Sequence, residues 1–325
     1  MKNPWEDISK PSSNLAFRRI DAGHKMNFFW GKNIKNNYLF AVQMNDKIII
    51  DEQKLPKLSG IEFIDFKEES KQYLILILIN NNDWEIFLSL CENILYHTSF
   101  ISDEKQNYNI LVLRLNRWAE ILKINKERVS EDFIKGLIGE LYFLKNYLFE
   151  KYNIRNALSF WTGPDGSPQD FCVCDTAYEV KTQIGTTKPY IKISSIDQLN
   201  TQLSCMYLFV LTMGKSDDTY KNKVSLPGII NEIEEIIIEK DFSQLNLFKS
   251  LLFEYGYLYK SMYDEYSYVI SNEIFFEVKD DFPKLNIDLV KEGIDFIKYS
   301  IDLNFCHEFK VDNKEMREIL GIKKG

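Results

Sequence analysis

The chain has 325 residues, of which 45% are hydrophobic and 27% charged, with a formal net charge of −8. This length suggests two domains or three small ones with a sizeable core, and the acidic balance excludes a protein that coats nucleic acid through its overall charge. No apolar run approaches the ~20 residues of a membrane helix, MKNPWEDISKPSS shows no secretory signal, and five irregularly spaced cysteines fit a reduced, cytoplasmic protein.

Charge is distributed unevenly: residues 1–60 hold ten Lys/Arg against six Asp/Glu. From Leu15 to Ile79, short apolar runs alternate with turn residues, which predicts an antiparallel β domain. A helix follows from Asp83, with Phe87, Leu90, Ile94 and Leu95 on one stripe. The pattern divides the chain into a β-rich domain (1–105), a middle segment (106–215) and a mixed helical and strand region (216–325) packing on it. The middle segment opens with a strand or short helix and a basic helix. Arg114, Arg117, Lys123, Lys126 and Arg128 form a side suited to phosphates or simply to solvent.

Ser130 is an N-cap for the next helix, with Glu131 and Asp132 in its first turn. Phe133, Leu137, Leu141, Leu144 and Leu148 form the apolar stripe, and Gly136 and Gly139 imply close packing. Glu140 lies beside that stripe, so its carboxylate needs a salt bridge, a backbone group or a metal site. Ala157 to Thr162 reads as a short strand, followed by a Gly/Pro loop ending in Asp170.

Residues 170–181, DFCVCDTAYEVK, predict a β-hairpin. With Asp175-Thr176 as the loop, Cys174 pairs with Ala177, Asp170 faces Lys181, and Glu179 is its diagonal neighbour. Phe171, Val173, Tyr178 and Val180 then share an apolar face, and Asp170, Glu179 and Lys181 share the other. E-x-K alone is common in strands; the spaced aspartate and the matching apolar face are what point to a site. The two carboxylates and the Val180 carbonyl offer hard oxygen ligands to Mg2+, with Mn2+ as substitute. A bound metal would lower the pKa of a water and stabilise charge on a phosphate, while Lys181 would orient or help deprotonate that water.

Thr186-Thr187 turns the chain into a strand at Tyr190–Ile193, and Ser195 to Gln198 forms a capping box opening a helix with Leu199 and Leu203. Gln198 either caps that helix or also faces the site. Lys188, Lys192 and Ser195 are candidates for backbone-phosphate contacts. CMYLFVLTM, 205–213, is a buried strand. The last third reads as helices at 228–239 and 242–255, strands at 266–278 and 294–303, and a short helical tail. No phosphate-binding G-x-x-x-x-G-K-[ST] occurs, and three histidines disfavour a His-rich zinc site.

The order helix with Glu140, strand, strand with Asp170, strand with Glu179-Val180-Lys181, helix with Gln198, strand resembles the core of PD-(D/E)XK nucleases. Gln169 stands before Asp170, with Pro168 one place early, so the literal Pro-Asp is missing. The wider chain is similar to a family of PD-(D/E)XK proteins encoded in bacterial defence and restriction-modification operons. That likeness rests on Gly136 to Leu141, Asp170-Phe171, Tyr178 to Lys181, Ser194-Ser195 with Gln198-Leu199, Asp281-Phe282-Pro283 and the Tyr299 to Phe305 run. The resemblance implies an α+β fold with a restriction-endonuclease-like αβββαβ core. It also implies a Mg2+-dependent DNA endonuclease acting beside a DNA methyltransferase and ATPase or helicase partners. Double-strand cutting would need two active sites or two nicks, which is compatible with a homodimer. The alternative is a catalytically silent DNA-binding or scaffold subunit of a defence complex.

Overall fold

The structure, a computed structural model, describes the chain except residues 1–2, 13, 21–23, 46–47, 69, 125–129, 186–187, 217–219, 221, 259–260, 287–289, 295 and 323–325. Lys126, Arg128 and the Thr186-Thr187 turn therefore lie outside the described residues, as does the side chain of Lys123. The fold is α+β, in two compact units, Met1–Arg128 and Val129–Gly325. Among the described residues no helix is long and apolar enough to cross a membrane.

The first unit holds β1 (Leu15–Arg19), β2 (Asn27–Asn33), β3 (Tyr38–Asn45), β4 (Ile61–Glu68) and β5 (Lys71–Leu78), followed by α1 (Trp84–Thr98) and α2 (Glu104–Ile124). The strands form one antiparallel sheet in the order β1-β2-β3-β5-β4. The predicted break at 105/106 is replaced by one at 128/129, because residues 104–124 are a single helix that packs on α1. Arg114 is buried there, its Nε donating to Asn93 Oδ1 at 2.9 Å, and Arg117 pairs with Glu120. The expected phosphate-facing side of this helix is thus partly turned inward.

The second unit opens with α3 (Glu131–Phe143), whose Ser130 cap accepts the Phe133 N–H at 3.1 Å. A π-helical stretch, Leu144–Leu148, and one more turn, α4 (Phe149–Lys151), continue it. The strand expected at 157–162 is instead a helix, α5 (Ile154–Ser159), because Asn153 caps it by accepting the Asn156 N–H. Next come β6 (Phe171–Val173), β7 (Thr176–Ile184), β8 (Tyr190–Ile193), β9 (Cys205–Lys215), β10 (Val224–Ser225), α6 (Leu226–Asp241) and α7 (Leu245–Tyr255). The chain ends with β11 (Ser267–Glu277), β12 (Tyr299–Asp302), β13 (Lys310–Val311) and α8 (Asn313–Ile319).

The main sheet runs β10-β11-β9-β7-β6, with β13 on β11; β7 and β9 are parallel and the other pairs antiparallel. Alternation along the strands makes two cores. Tyr178, Val180, Phe209 and Leu211 face α3, α6 and α7, whereas Ala177, Met206, Leu208 and Val210 face Ile191, Ile193 and Ile301. Two parts of the expected αβββαβ core therefore differ. The first of its three strands, expected at 157–162, is the helix α5, and the expected helix after Ser195 is only a 3-10 turn, Ile196–Leu199; β8, outside that order, pairs with β12 away from the main sheet. Asn200 stops that turn by donating its side chain to the Ile196 carbonyl at 2.6 Å. The region after residue 216 is no separate body: β11 lies beside β9 inside the main sheet.

Candidate active site

The hairpin closes one residue earlier than its sequence predicts. Phe171 pairs with Tyr178, Cys172 with Ala177 and Val173 with Thr176, so the loop is Cys174-Asp175. Cys174 accepts the left-handed backbone such a tight turn needs, at φ 55°. The shift is by an even number of positions, so each side chain keeps its predicted face. It changes the partner: carried one step on, the register sets Asp170 against Glu179 rather than Lys181.

Asp170 stands where β6 has not yet begun, on the open edge of β7. Its carbonyl accepts the Thr162 and Gly163 N–H groups at 2.9 and 3.0 Å, and its Oδ2 accepts the Val180 N–H at 2.7 Å. A strand residue directs its N–H and C=O to the same edge, so the Val180 carbonyl is aimed at the edge Asp170 occupies.

Glu179 and Lys181 project to the β8–β12 side of the sheet. Glu179 is 0% exposed. Lys181 Nζ lies 2.6 Å from Glu179 Oε1, yet neither Glu179 oxygen receives a well-directed hydrogen bond. Lys181 Nζ also donates to Gln198 Oε1 at 3.2 Å, which accepts the Ser194 N–H at 2.7 Å. Gln198 therefore both braces its own turn and faces the site.

Glu140 arrives from the opposite layer. Gly139 lets α3 settle on β7: a Cβ there would stand 2.5 Å from Thr182 Cγ2 and 3.2 Å from Val180 Cγ1. Glu140 is buried, and its oxygens are engaged, Oε2 by the Trp161 indole N–H at 2.7 Å and Oε1 by the Tyr255 hydroxyl. Gly163 brings the two layers together. A Cβ on it would meet Glu140 Oε2 at 3.0 Å and Asp170 Oδ1 at 3.6 Å.

Electrostatics bind the four groups into one unit. Burial pushes Glu140 well above the usual carboxylate range, and the Asp170 charge adds to it. Burial also raises Glu179, again with Asp170 adding, and lifts Asp170 to about 6 against the pull of Lys181 and the Val180 N–H. For Lys181 burial acts downward, but Glu179, Asp170 and Glu140 outweigh it and raise its pKa, so it stays an ammonium. Three carboxyl groups around one ammonium cannot all ionise in so buried a place, and a bound cation would favour their charged forms. The all-oxygen donors fit a hard divalent ion. Among the described residues, however, no three His, Cys, Asp or Glu side chains converge into a metal-holding group by themselves. Glu140, Asp170 and Glu179 are thus electrostatic neighbours rather than a ready-made three-carboxylate ligand set, with Glu140 engaged in its own hydrogen bonds.

A family model described as "Putative PD-(D/E)XK family member, (DUF4420)" matches residues 1–304. The chain belongs to this family. No curated protein and no solved structure matches it. The match spans the first unit and the main sheet of the second except β13, including every member of the acidic cluster.

Lys188 and Lys192 are exposed, and Lys192 lies on the outer side of the β8–β12 ribbon. Ser195 is half-buried; its hydroxyl accepts the Asp197 N–H at 3.2 Å and donates to Asp197 Oδ2 at 2.9 Å. That engagement makes it a cap rather than a free phosphate donor. Sequence reasoning missed Trp161 and Tyr255, which hold Glu140, and Gln169. Buried Gln169 donates to the Asp197 and Asn200 carbonyls at 2.7 and 3.1 Å, fastening the turn that carries Gln198 beside Asp170. Its place where the motif has proline was the only available signal.

Proposed function

We propose that the protein is a divalent-metal-dependent DNA endonuclease, using Mg2+ or Mn2+, that serves a bacterial restriction-modification or phage-defence system. The observation that carries this reading is Glu179, a fully buried carboxylate without a directed hydrogen bond, set against Asp170 and Lys181. A buried carboxylate whose one close partner is the Lys181 ammonium keeps acceptor capacity that a cation would fill.

Asp170, Glu179 and the Val180 carbonyl would hold the ion, with Glu140 behind them. When bound, the ion would supply charge stabilisation at a scissile phosphate and a more acidic water. Lys181, kept protonated by its three carboxylate neighbours and steered by Gln198, donates hydrogen bonds to the attacking water or to phosphate oxygen rather than removing a proton. Exposed Lys188 and Lys192 would meet backbone phosphates. Methyltransferase and ATPase or helicase partners, and pairing of two copies for double-strand cutting, belong to the same proposal.

Calorimetry with Mn2+ on wild type and Asp170→Ala tests it, followed by cleavage of modified and unmodified plasmid with and without operon partners. Heat from wild type alone supports the reading. The competing reading, a silent DNA-binding or scaffold subunit, draws on the lack of a three-side-chain metal cluster among the described residues. It requires no heat from either protein and no cleavage under any condition.

A further inference from the structure

Tyr255 closes α7, and its hydroxyl crosses to Glu140, 115 residues earlier in the chain. The hydroxyl passes over Gly136, one turn before Glu140 on the same helix face, at ordinary contact distance, 3.8 Å from where a Cβ would stand. The Tyr255 ring packs on Phe133 and Trp161, with centroids 5.7 and 5.9 Å apart. Trp161 supplies the second donor to the same carboxylate. Each Glu140 oxygen thus has one lone pair taken from behind and one left over. A half-engaged carboxylate held by two rigid aromatic donors cannot rotate without losing both bonds.

We propose that Tyr255 and Trp161 are positioning residues for the metal site: they fix the orientation in which Glu140 offers its remaining lone pairs toward Asp170. The inference rests on the divalent-metal reading above. It assigns a role to α7, which lies outside the segment that carries the motif. The clamp acts on the ion only through Glu140, and that gives it a distinctive signature. Removing the Tyr255 hydroxyl must weaken the ion's binding, and must do nothing further once Glu140 has lost its charge.

The test is a double-mutant cycle in Mn2+ affinity by calorimetry on the full chain, using wild type, Tyr255→Phe, Glu140→Gln and the double variant. Phenylalanine keeps the ring packing, and a thermal melt in EDTA checks each fold. Partners that orient a metal-binding group typically matter about 10–100-fold in affinity, so Tyr255→Phe should bind Mn2+ roughly ten-fold more weakly. The double variant should bind no more weakly than Glu140→Gln alone. Trp161→Phe, which keeps an aromatic side chain but removes the donor, should repeat the pattern. Equal affinity of Tyr255→Phe and wild type, or full additivity in the cycle, overturns the inference while leaving the metal site standing. Absence of Mn2+ heat from wild type overturns the metal reading, and this inference with it.

Discussion

Replacing Asp170 by asparagine should stabilise the metal-free protein at neutral pH, although it removes a central residue of the proposed site. Burial lifts the Asp170 carboxyl from its ordinary 3.8 to about 6. A group raised in this way keeps its proton in the folded state after the unfolded chain has released it. Its stabilising contribution is therefore complete below the unfolded value, declines as pH rises, and is lost above the folded value. A displacement of roughly two pH units at ~1.36 kcal/mol each gives about 3 kcal/mol. That is an upper limit, because Asp170 is only half-buried and water screens it. Asparagine keeps an acceptor for the Val180 N–H and has no charge to desolvate. In a unit spanning Val129–Gly325 the gain corresponds to no more than roughly 6–12 °C. Melting wild type and Asp170→Asn in EDTA between about pH 4 and 8, a range set to bracket both carboxyl values, measures it. The difference between the two proteins cancels groups such as Glu131 and Asp132, whose lowered values act in the opposite direction. The curves should meet at the acid end and separate with the variant higher at the alkaline end. Mn2+ at about 1,000-fold its dissociation constant should reverse the order, since it contributes ~4.1 kcal/mol to wild type alone. A variant that melts below wild type at the alkaline end in EDTA, or a gap that does not change with pH, refutes the reasoning.

Lys181→Ala should abolish plasmid cleavage while DNA affinity, followed by fluorescence anisotropy, stays near wild type; an active variant removes the lysine from the mechanism. Gly139→Ala should cost about 1–3 kcal/mol by overpacking, because the new methyl meets the short, β-branched Thr182 side chain; chemical denaturation reads the loss. Gln169→Leu should lower kcat while changing Mn2+ affinity little, since Gln169 fastens the turn carrying Gln198 rather than an ion-facing group. Comparable loss of both quantities would place Gln169 in general packing.

The faces of the hairpin were legible in the sequence because alternation alone fixes them. Phe171, Val173, Tyr178 and Val180 enter one core as expected. The register was not legible, since moving the loop by one residue shifts the pairing by two positions and leaves every face unchanged, and only Cys174's left-handed backbone decides. The helix at 154–159 was misread because Leu158, Phe160 and Trp161 look strand-like, whereas the cap is set by Asn153. Glu140's need for partners was readable from its place beside an apolar stripe. Its actual partners were not, because no local pattern links a tryptophan 21 residues on and a tyrosine 115 residues on to one carboxylate.

The acidic cluster sits where three structural layers meet: the α3 layer gives Glu140, the hairpin edge gives Asp170 and Glu179, and the β8–β12 side gives Gln198 its place beside Lys181. Every carboxylate in it is displaced in the direction that opposes its own charge. Such a cluster does not hold itself together; it is imposed by the two apolar cores on either side of β7 and β9. Much of that scaffolding lies after residue 216. β11 extends the sheet, β12 holds β8, and α7 delivers Tyr255. A chain cut after β9 would keep all four motif residues and lose the walls that make their repulsion tolerable, so the C-terminal third is as much part of the site as the motif itself.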